Sequence, residues 1–536
     1  MSYLKQFLAR TPQSQPVLGS TQVPNSAGGY SWPVDDWTRL RRFLILGSEG
    51  GSYYATERAL TRESAEAVVR CIAADGPKTV HEIVAVSTEG RAPKNDPAIF
   101  ALAMAAGLGD EATKRLALES LPAVCRTGTH LFQFAQFVES FRGWGRSLRR
   151  AVGRWYAAQD VDALAYQAVK YRRREGMSHR DVLRLAHPAA AVSGGNPTLE
   201  VSEQHKALFE WIARGEKADG LPRIVEGFVR AQAAEDAATS AELVREYRLP
   251  REAVRPEHLG TAEVWEALLQ EMPMTALIRN LATMTRVGVI APGSDGTAKV
   301  LEQLADGDRI RRARVHPMSV LIALRTYASG RGVRGGGTWD PVASVIDALD
   351  AAFYAAFENV EPTGKRFLLA LDVSGSMTWG TVAGAAGLTP RDASAAMALV
   401  TAATEPRYET VGFYSRLKPL KISPRQRLDD VVQTVKALHF GATDCALPMI
   451  YALERGREID TFVIYTDSET WWGDIHPAEA LREYRKQSGI DARLVVVGMV
   501  ANGFSIADPE DAGMLDVVGF DTATPQVISE FAAGRI

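Results

Sequence analysis

Apolar and polar positions along this chain follow two periods. From about Trp37 to Phe357, alanine, leucine and other apolar residues recur at i, i+3 and i+4, the spacing that lays one face of a helix on a core. The segments with this spacing are short: 65–74, 97–106, 112–120, 161–174, 262–270 and 274–284, divided by Gly, Pro and Asp. Beyond residue 361 the pattern changes. Runs rich in β-branched and aromatic residues at 367–372, 410–414, 461–466 and 493–500 predict strands, and helical spacing returns between them at 391–404, 428–438 and 477–487.

Two fold classes follow. Many short helices in antiparallel pairs predict an α-solenoid of HEAT-like repeats; no strict repeat is visible in the letters, and a compact irregular helical domain is the alternative. Strands alternating with helices predict a doubly wound, parallel α/β domain. The expected organisation is an N-terminal extension over 1–36, a helical part over 37–360 and an α/β domain over 361–536.

Composition narrows the class. A chain of 536 residues with 46% hydrophobic and 23% charged residues suits two or three ordinary globular domains. Three scattered cysteines, Cys71, Cys125 and Cys445, fit buried thiols in a reducing cytosol and not a disulfide framework. Met1 to Pro16 holds no long apolar core of a secretory signal. No run approaches the roughly 18 apolar residues a membrane span needs. The expectation is a cytoplasmic protein with no membrane contact. Charge is uneven: residues 361–536 carry 17 Lys+Arg against 23 Asp+Glu, the rest 44 against 41.

The sharpest chemical signal is FLLALDVSGSM at 367–377. An apolar run ends in Asp372, and Ser374 and Ser376 follow at alternate positions. A carboxylate and two hydroxyls so spaced can face one hard cation, Mg²⁺ foremost, with Mn²⁺ or Ca²⁺ as alternatives. An ordinary turn explains the same letters. Two further segments repeat the logic: TFVIYTD ends in Asp467, and the loop FGATD offers Thr443. Asp372, Ser374, Ser376, Thr443 and Asp467 together resemble the metal-ion-dependent adhesion site of von Willebrand factor A domains. Two carboxylates balance a divalent ion and leave it electrophilic towards an acidic ligand from outside. The alternative is that Thr443 and Asp467 cap helices or turns.

Enzyme signatures are missing. VSGSM lacks the first glycine of G-x-S-x-G, and no GxxxxGK[ST], H-E-x-x-H or H-x-E…C-x-x-C pattern occurs.

One window is strongly basic. Arg142 to His187 holds eleven Lys+Arg and four Asp+Glu. Arg146, Arg149, Arg150 and Arg154 share a helical face, as do Lys170 and Arg174. Trp144 and Trp155 flank the first set, and Tyr166 and Tyr171 the second. Cations for phosphates with rings for stacking suit a nucleic-acid surface; a solvated helix face is the competing reading. Ser178, with Asp181 three residues on, is placed to cap a following helix. His187 stands at that helix's end before Pro188, where the residues alone favour a structural cap.

Over nearly its whole length the chain resembles the Ro autoantigen family, which joins a TROVE module to a von Willebrand A-like domain. The carrying blocks are RRFLILGSEGGSYY from Arg41, VWEALLQEMPMTALIRNL from Val264, AAFYAAF from Ala351, EPTGKRFLLALDVSGSM from Glu361, GATDCALPM from Gly441, HPAEALREYRK from His476 and NGFSIADPEDAGMLDVVGFDT from Asn502. The lean C-terminus looks bacterial in type. The resemblance implies a ring of HEAT-like repeats closed by the von Willebrand A-like domain, hence a monomer. It implies Y RNA on the outer basic surface and single-stranded 3′ ends of misfolded RNAs in the central hole. It implies RNA quality control without catalysis, and in bacteria an exoribonuclease partner. Family residues that contact Y RNA correspond to Lys170, Arg174 and His187 within KYRRREGMSHRDVLRLAH, which turns His187 from a cap into an RNA contact. Arg172 and Arg173 make this stretch more basic than in animal members. Gly375 stands where the family's metal loop often has alanine.

Overall fold

The computed structural model describes residues 11–25, 27–33, 35–46, 65–89, 92, 94–174, 176–186, 201–215, 220–313, 315, 317–332, 337–356, 362–378, 389–438, 441–468, 470–499, 504–518, 528–529 and 531–534. Between Asp36 and Ala355 the described chain is mostly helical. Sequential helices pack on one another: Glu66–Glu89 on Asp96–Leu108, that helix on Gly128–Phe141, and Ala237–Tyr247 on Ala262–Gln270. The helix Asp96–Leu108 is buried from Pro97 to Ala106. Its run of alanines lets neighbours approach closely on every side. Several helices are capped by side chains: Asp110, Ser202, Asp236 and Ser294 each accept a bond from the amide three residues on.

The C-terminal part is built on a six-stranded sheet in the order β11-β9-β8-β5-β6-β7: β5 is Arg366–Asp372, β6 Arg407–Phe413, β7 Leu417–Leu420, β8 Thr461–Thr466, β9 Arg493–Gly498 and β11 Met514–Val518. All neighbours are parallel except β6 and β7, which form an antiparallel hairpin. β5 is buried on both faces. Leu369 and Leu371 enter one apolar cluster and Leu368 and Ala370 the other, as a strand's period of two requires.

The two parts share a core. The cluster that receives Leu369 and Leu371 runs on into the helical part through Phe353, Leu349 and Leu321. Arg325 pairs with the buried Asp392 at 3.2 Å, and Arg427 with Asp347 at 2.7 Å. At the other end of the helical run, the helix Asp36–Leu46 packs on β11.

The extension over 1–36 is tied down where it is described. β1 (Val23–Pro24) pairs with β2 (Tyr30–Pro33), and β2 pairs with β10 (Phe504–Ser505). Trp32 is buried in the C-terminal core, and Gln13 donates to Asp444 at 2.7 Å and to the Ile475 carbonyl at 3.0 Å.

The helix expected over 161–174 ends at Lys170. Gly176, at φ +76°, turns the chain into a hairpin of β3 (Arg173–Arg174) and β4 (Met177–Ser178). Arg174 therefore does not share a helical face with Lys170.

Candidate cation site and nucleic-acid interface

Asp372 closes β5, and Asp467 directly follows β8, the neighbouring strand. β5 has β6 on one side and β8 on the other, so the strand order reverses there. Ligands bind open α/β sheets at such a switch point, beyond the carboxyl ends of the strands. The fold brings all five predicted donors to this end. Asp372, Ser374, Thr443 and Asp467 are buried, and Ser376 is half-buried.

The loop is held in a definite shape. The Ser374 amide donates to Asp372 Oδ1 at 2.8 Å, and the Thr466 hydroxyl to Oδ2 at 2.7 Å. The Ser374 and Ser376 hydroxyls are 2.9 Å apart. Arg391, buried on the next helix, donates to the carbonyls of Val373 and Ser374 at 2.7 and 2.9 Å. Burial, and next the charge of Asp467, push the Asp372 carboxyl well above the usual carboxylate range. Two buried carboxylates with converging hydroxyls are costly alone and suited to a hard cation. Among the described residues no group of three or more His, Cys, Asp or Glu forms a different metal cluster.

The basic window divides into two surfaces. Arg146, Arg149 and Arg150 are exposed on the helix Arg146–Ala157, and Arg154 is half-buried. Trp155 is not available for stacking: it is buried, and its indole donates to the Cys125 carbonyl at 2.6 Å. Its place on the apolar face of the helix decides this.

The second surface surrounds Lys170. Its ammonium lies 5.2 Å from the Tyr166 ring centre and 5.4 Å from that of Tyr171. Arg172 lies 5.1 Å from the Phe228 ring, and Arg173 is exposed. Arg174 faces Glu252 at 3.6 Å. Ser178 and Asp181 form the expected reciprocal cap of the helix His179–Ala186. His187 lies outside the described residues.

Beside Lys170 a cleft of about 870 Å³ opens, lined by Tyr166, Arg223, Tyr247, Arg248, Arg251 and Glu252 among others. Arg223 sits 5.2 Å from the Tyr247 ring. Apart from Tyr166, sequence reasoning missed these residues. Their only signal is ordinary: single arginines on separate helices, brought together by packing.

A helical array joined to a von Willebrand A-type sheet with a carboxylate–hydroxyl loop defines a class of two-part proteins. Family profiles agree: the TROVE domain matches residues 23–239 and 249–326, and the Ro60 vWA domain residues 366–532. The chain is 44% identical over 527 residues to the RNA-binding protein RO60 of Deinococcus radiodurans, covering 98% of each. It is 37% identical over 600 residues to the RNA-binding protein RO60 of Caenorhabditis elegans, covering 99% of this chain and 93% of that protein. The crystal structure of the Deinococcus radiodurans RO (RSR) protein superposes with a TM-score of 0.73, covering 94% of this chain and all of that one. The chain belongs to the Ro60 family of TROVE-domain proteins.

Proposed function

We propose that this protein is the RNA-binding scaffold of a ribonucleoprotein and has no catalytic centre. The observation that carries the reading is the surface around Lys170: Lys170, Arg172, Arg173 and Arg174, together with Tyr166, Tyr171 and the adjoining arginine-lined cleft. Cations there neutralise phosphates, and the rings and cleft receive unpaired bases. A Y RNA stem docks on it by backbone contacts and shape, since an A-form duplex offers side chains little sequence to read. Arg146 and Arg150 supply a second basic surface for the same RNA, and His187 belongs to the contact set through the family pattern.

The helical run closes into a ring through the sheet domain. Contacts at both of its ends, Asp36–Leu46 on β11 and Arg325 on Asp392, support this closure. Single-stranded 3′ ends of misfolded RNAs enter the hole, an exoribonuclease acts as partner, and the protein works as a cytoplasmic monomer in RNA quality control. Sequencing the RNAs that co-purify with wild type and with Lys170→Ala/Arg174→Ala tests the reading. Loss of small structured RNAs from the variant is expected, and an unchanged RNA population overturns it. Turnover of RNA by the purified chain overturns the non-catalytic part.

A second reading rests on the buried donor loop. Asp372, Ser374, Ser376, Thr443 and Asp467 would hold Mg²⁺, or in its place Mn²⁺ or Ca²⁺. When bound, the ion supplies an open coordination position for an acidic side chain of a partner protein. Partners that survive ribonuclease and are lost with EDTA support this role; the reverse supports tethering by RNA alone.

A further inference from the structure

A second cavity, of about 420 Å³, lies beside the Thr443 loop. Trp471, Trp472, Asp444 and Asp474 line it, with Pro12 and Ser14 from the N-terminal segment. The function proposed above uses none of these residues. Trp471 and Trp472 are 39% and 49% exposed and join neither apolar core, whereas most of the chain's tryptophans with described side chains are buried or packed against one. Their rings stand edge to face, 5.6 Å apart at 84°, which leaves indole surface open to solvent.

This aromatic pair is fixed in place. Both tryptophan amides donate to the Thr443 carbonyl, at 3.3 and 3.1 Å. Gly473, at φ +118°, lies flush on the Asp444 carboxylate; a Cβ there would come within 2.5 to 2.8 Å of its atoms. Gln13 and the Ala446 amide hold Asp444 Oδ1 at 2.7 and 3.0 Å. The pocket is thus preorganised, with aromatic walls, a buried acid behind them and the exposed Asp474 at its rim.

We propose that this pocket receives an arginine side chain of a partner protein. A guanidinium stacks on indole faces and donates paired N–H groups to a carboxylate, a combination that neither an ammonium nor an apolar side chain matches. The cavity volume lies in the range of small-ligand sites and suits one long side chain. RNA is disfavoured here by charge, because the exposed Asp474 stands at the rim and the surrounding residues 361–536 are net acidic. The pocket adjoins the cation loop through Thr443, but none of the five candidate cation donors lines it, and arginine binding does not require a metal.

The test uses the full-length protein labelled with 5-fluorotryptophan. Resonances of Trp471 and Trp472 are assigned from the two Trp→Phe variants. The probe is Ac-Gly-Gly-Arg-Gly-Gly-NH₂, compared with its citrulline, lysine and leucine counterparts and with an eight-residue oligouridylate. The arginine peptide is expected to shift these two resonances saturably. The citrulline and lysine peptides should bind at least tenfold and threefold more weakly, and the arginine affinity should persist in EDTA. Trp472→Ala and Asp474→Asn, both at exposed positions, should each lower the affinity at least threefold without changing the thermal midpoint. Equal binding of the arginine and citrulline peptides, no saturable shift with arginine, tighter binding of the oligouridylate, or loss of binding in EDTA would each overturn the proposal.

Discussion

Removing the Glu252 carboxylate is expected to tighten RNA binding. Glu252, 3.6 Å from Arg174, competes with an incoming phosphate for its charge. The Arg174 and Glu252 side chains are 42% and 28% exposed, so the pair is well screened. Pairs of this kind contribute about 0.2–1 kcal/mol. With about 1.4 kcal/mol per tenfold, Glu252→Gln should lower Kd by about 1.4- to fivefold, not by orders of magnitude. Arg174→Ala should cost more affinity in the Glu252→Gln background than in wild type, by the same factor. Lys170 has no acid within salt-bridge distance among the described contacts. Lys170→Ala should therefore express the full counterion effect and reduce the log–log salt slope by about 0.7–0.9. The assay is filter binding of a labelled hairpin RNA from the co-purifying pool, titrated from low to moderate salt. If Glu252→Gln binds equally or more weakly, Arg174 does not reach phosphate from this position. If the slope of Lys170→Ala is unchanged, the surface is not the docking face.

Three further outcomes follow from the structure. Asp372→Ala should abolish Mg²⁺ binding by calorimetry while leaving hairpin affinity within twofold; full Mg²⁺ affinity in that variant refutes the donor set. Burial holds the His179 imidazole down at about 4, against an ordinary value of 6.5. Its stability contribution is therefore intact above pH 6.5 and is lost as pH falls towards 4, reaching about 3 kcal/mol. Urea midpoints at pH 7.5 and 5 should fall further apart in wild type than in His179→Gln, and equal spacing refutes the linkage. Trp32→Ala should cost about 3–5 kcal/mol, because it empties a large buried site in the C-terminal core; a thermal midpoint unchanged within 2 °C would show that β2 is not integral to that domain.

What could be read from the letters follows the range of each interaction. β8 spans Thr461–Thr466 as the β-branched run predicts, and β5 and β9 agree within two residues, because both faces are buried and the apolar runs are continuous. That the five candidate donors lie at one end of the sheet follows from the topology. Each stands at or near the end of a strand or in a loop that the sheet topology brings to one edge. The fate of Arg174 was not legible, because a single glycine at positive φ outweighs a helical pattern that looks continuous. Trp155 shows the opposite limit: an aromatic beside arginines reads as a stacking ring until packing shows which helix face it occupies. The cleft residues Arg223 and Arg251 and the latch of Gln13 onto Asp444 depend on partners far away in sequence, which no local pattern encodes.

That latch has a consequence for the order in which the protein is made. Gln13 and Asp444 are 431 residues apart. At about 5–20 residues per second, the ribosome delivers Asp444 roughly 20–90 s after Gln13. Throughout that interval Trp32 and the edge of β2 have no home. The helices between them can form as they emerge, since their contacts are largely between neighbours. The sheet domain is therefore the last part to be completed, and the segment translated early must wait, exposed, for a site that is synthesised late. A chaperone that holds nascent chains has its natural target there.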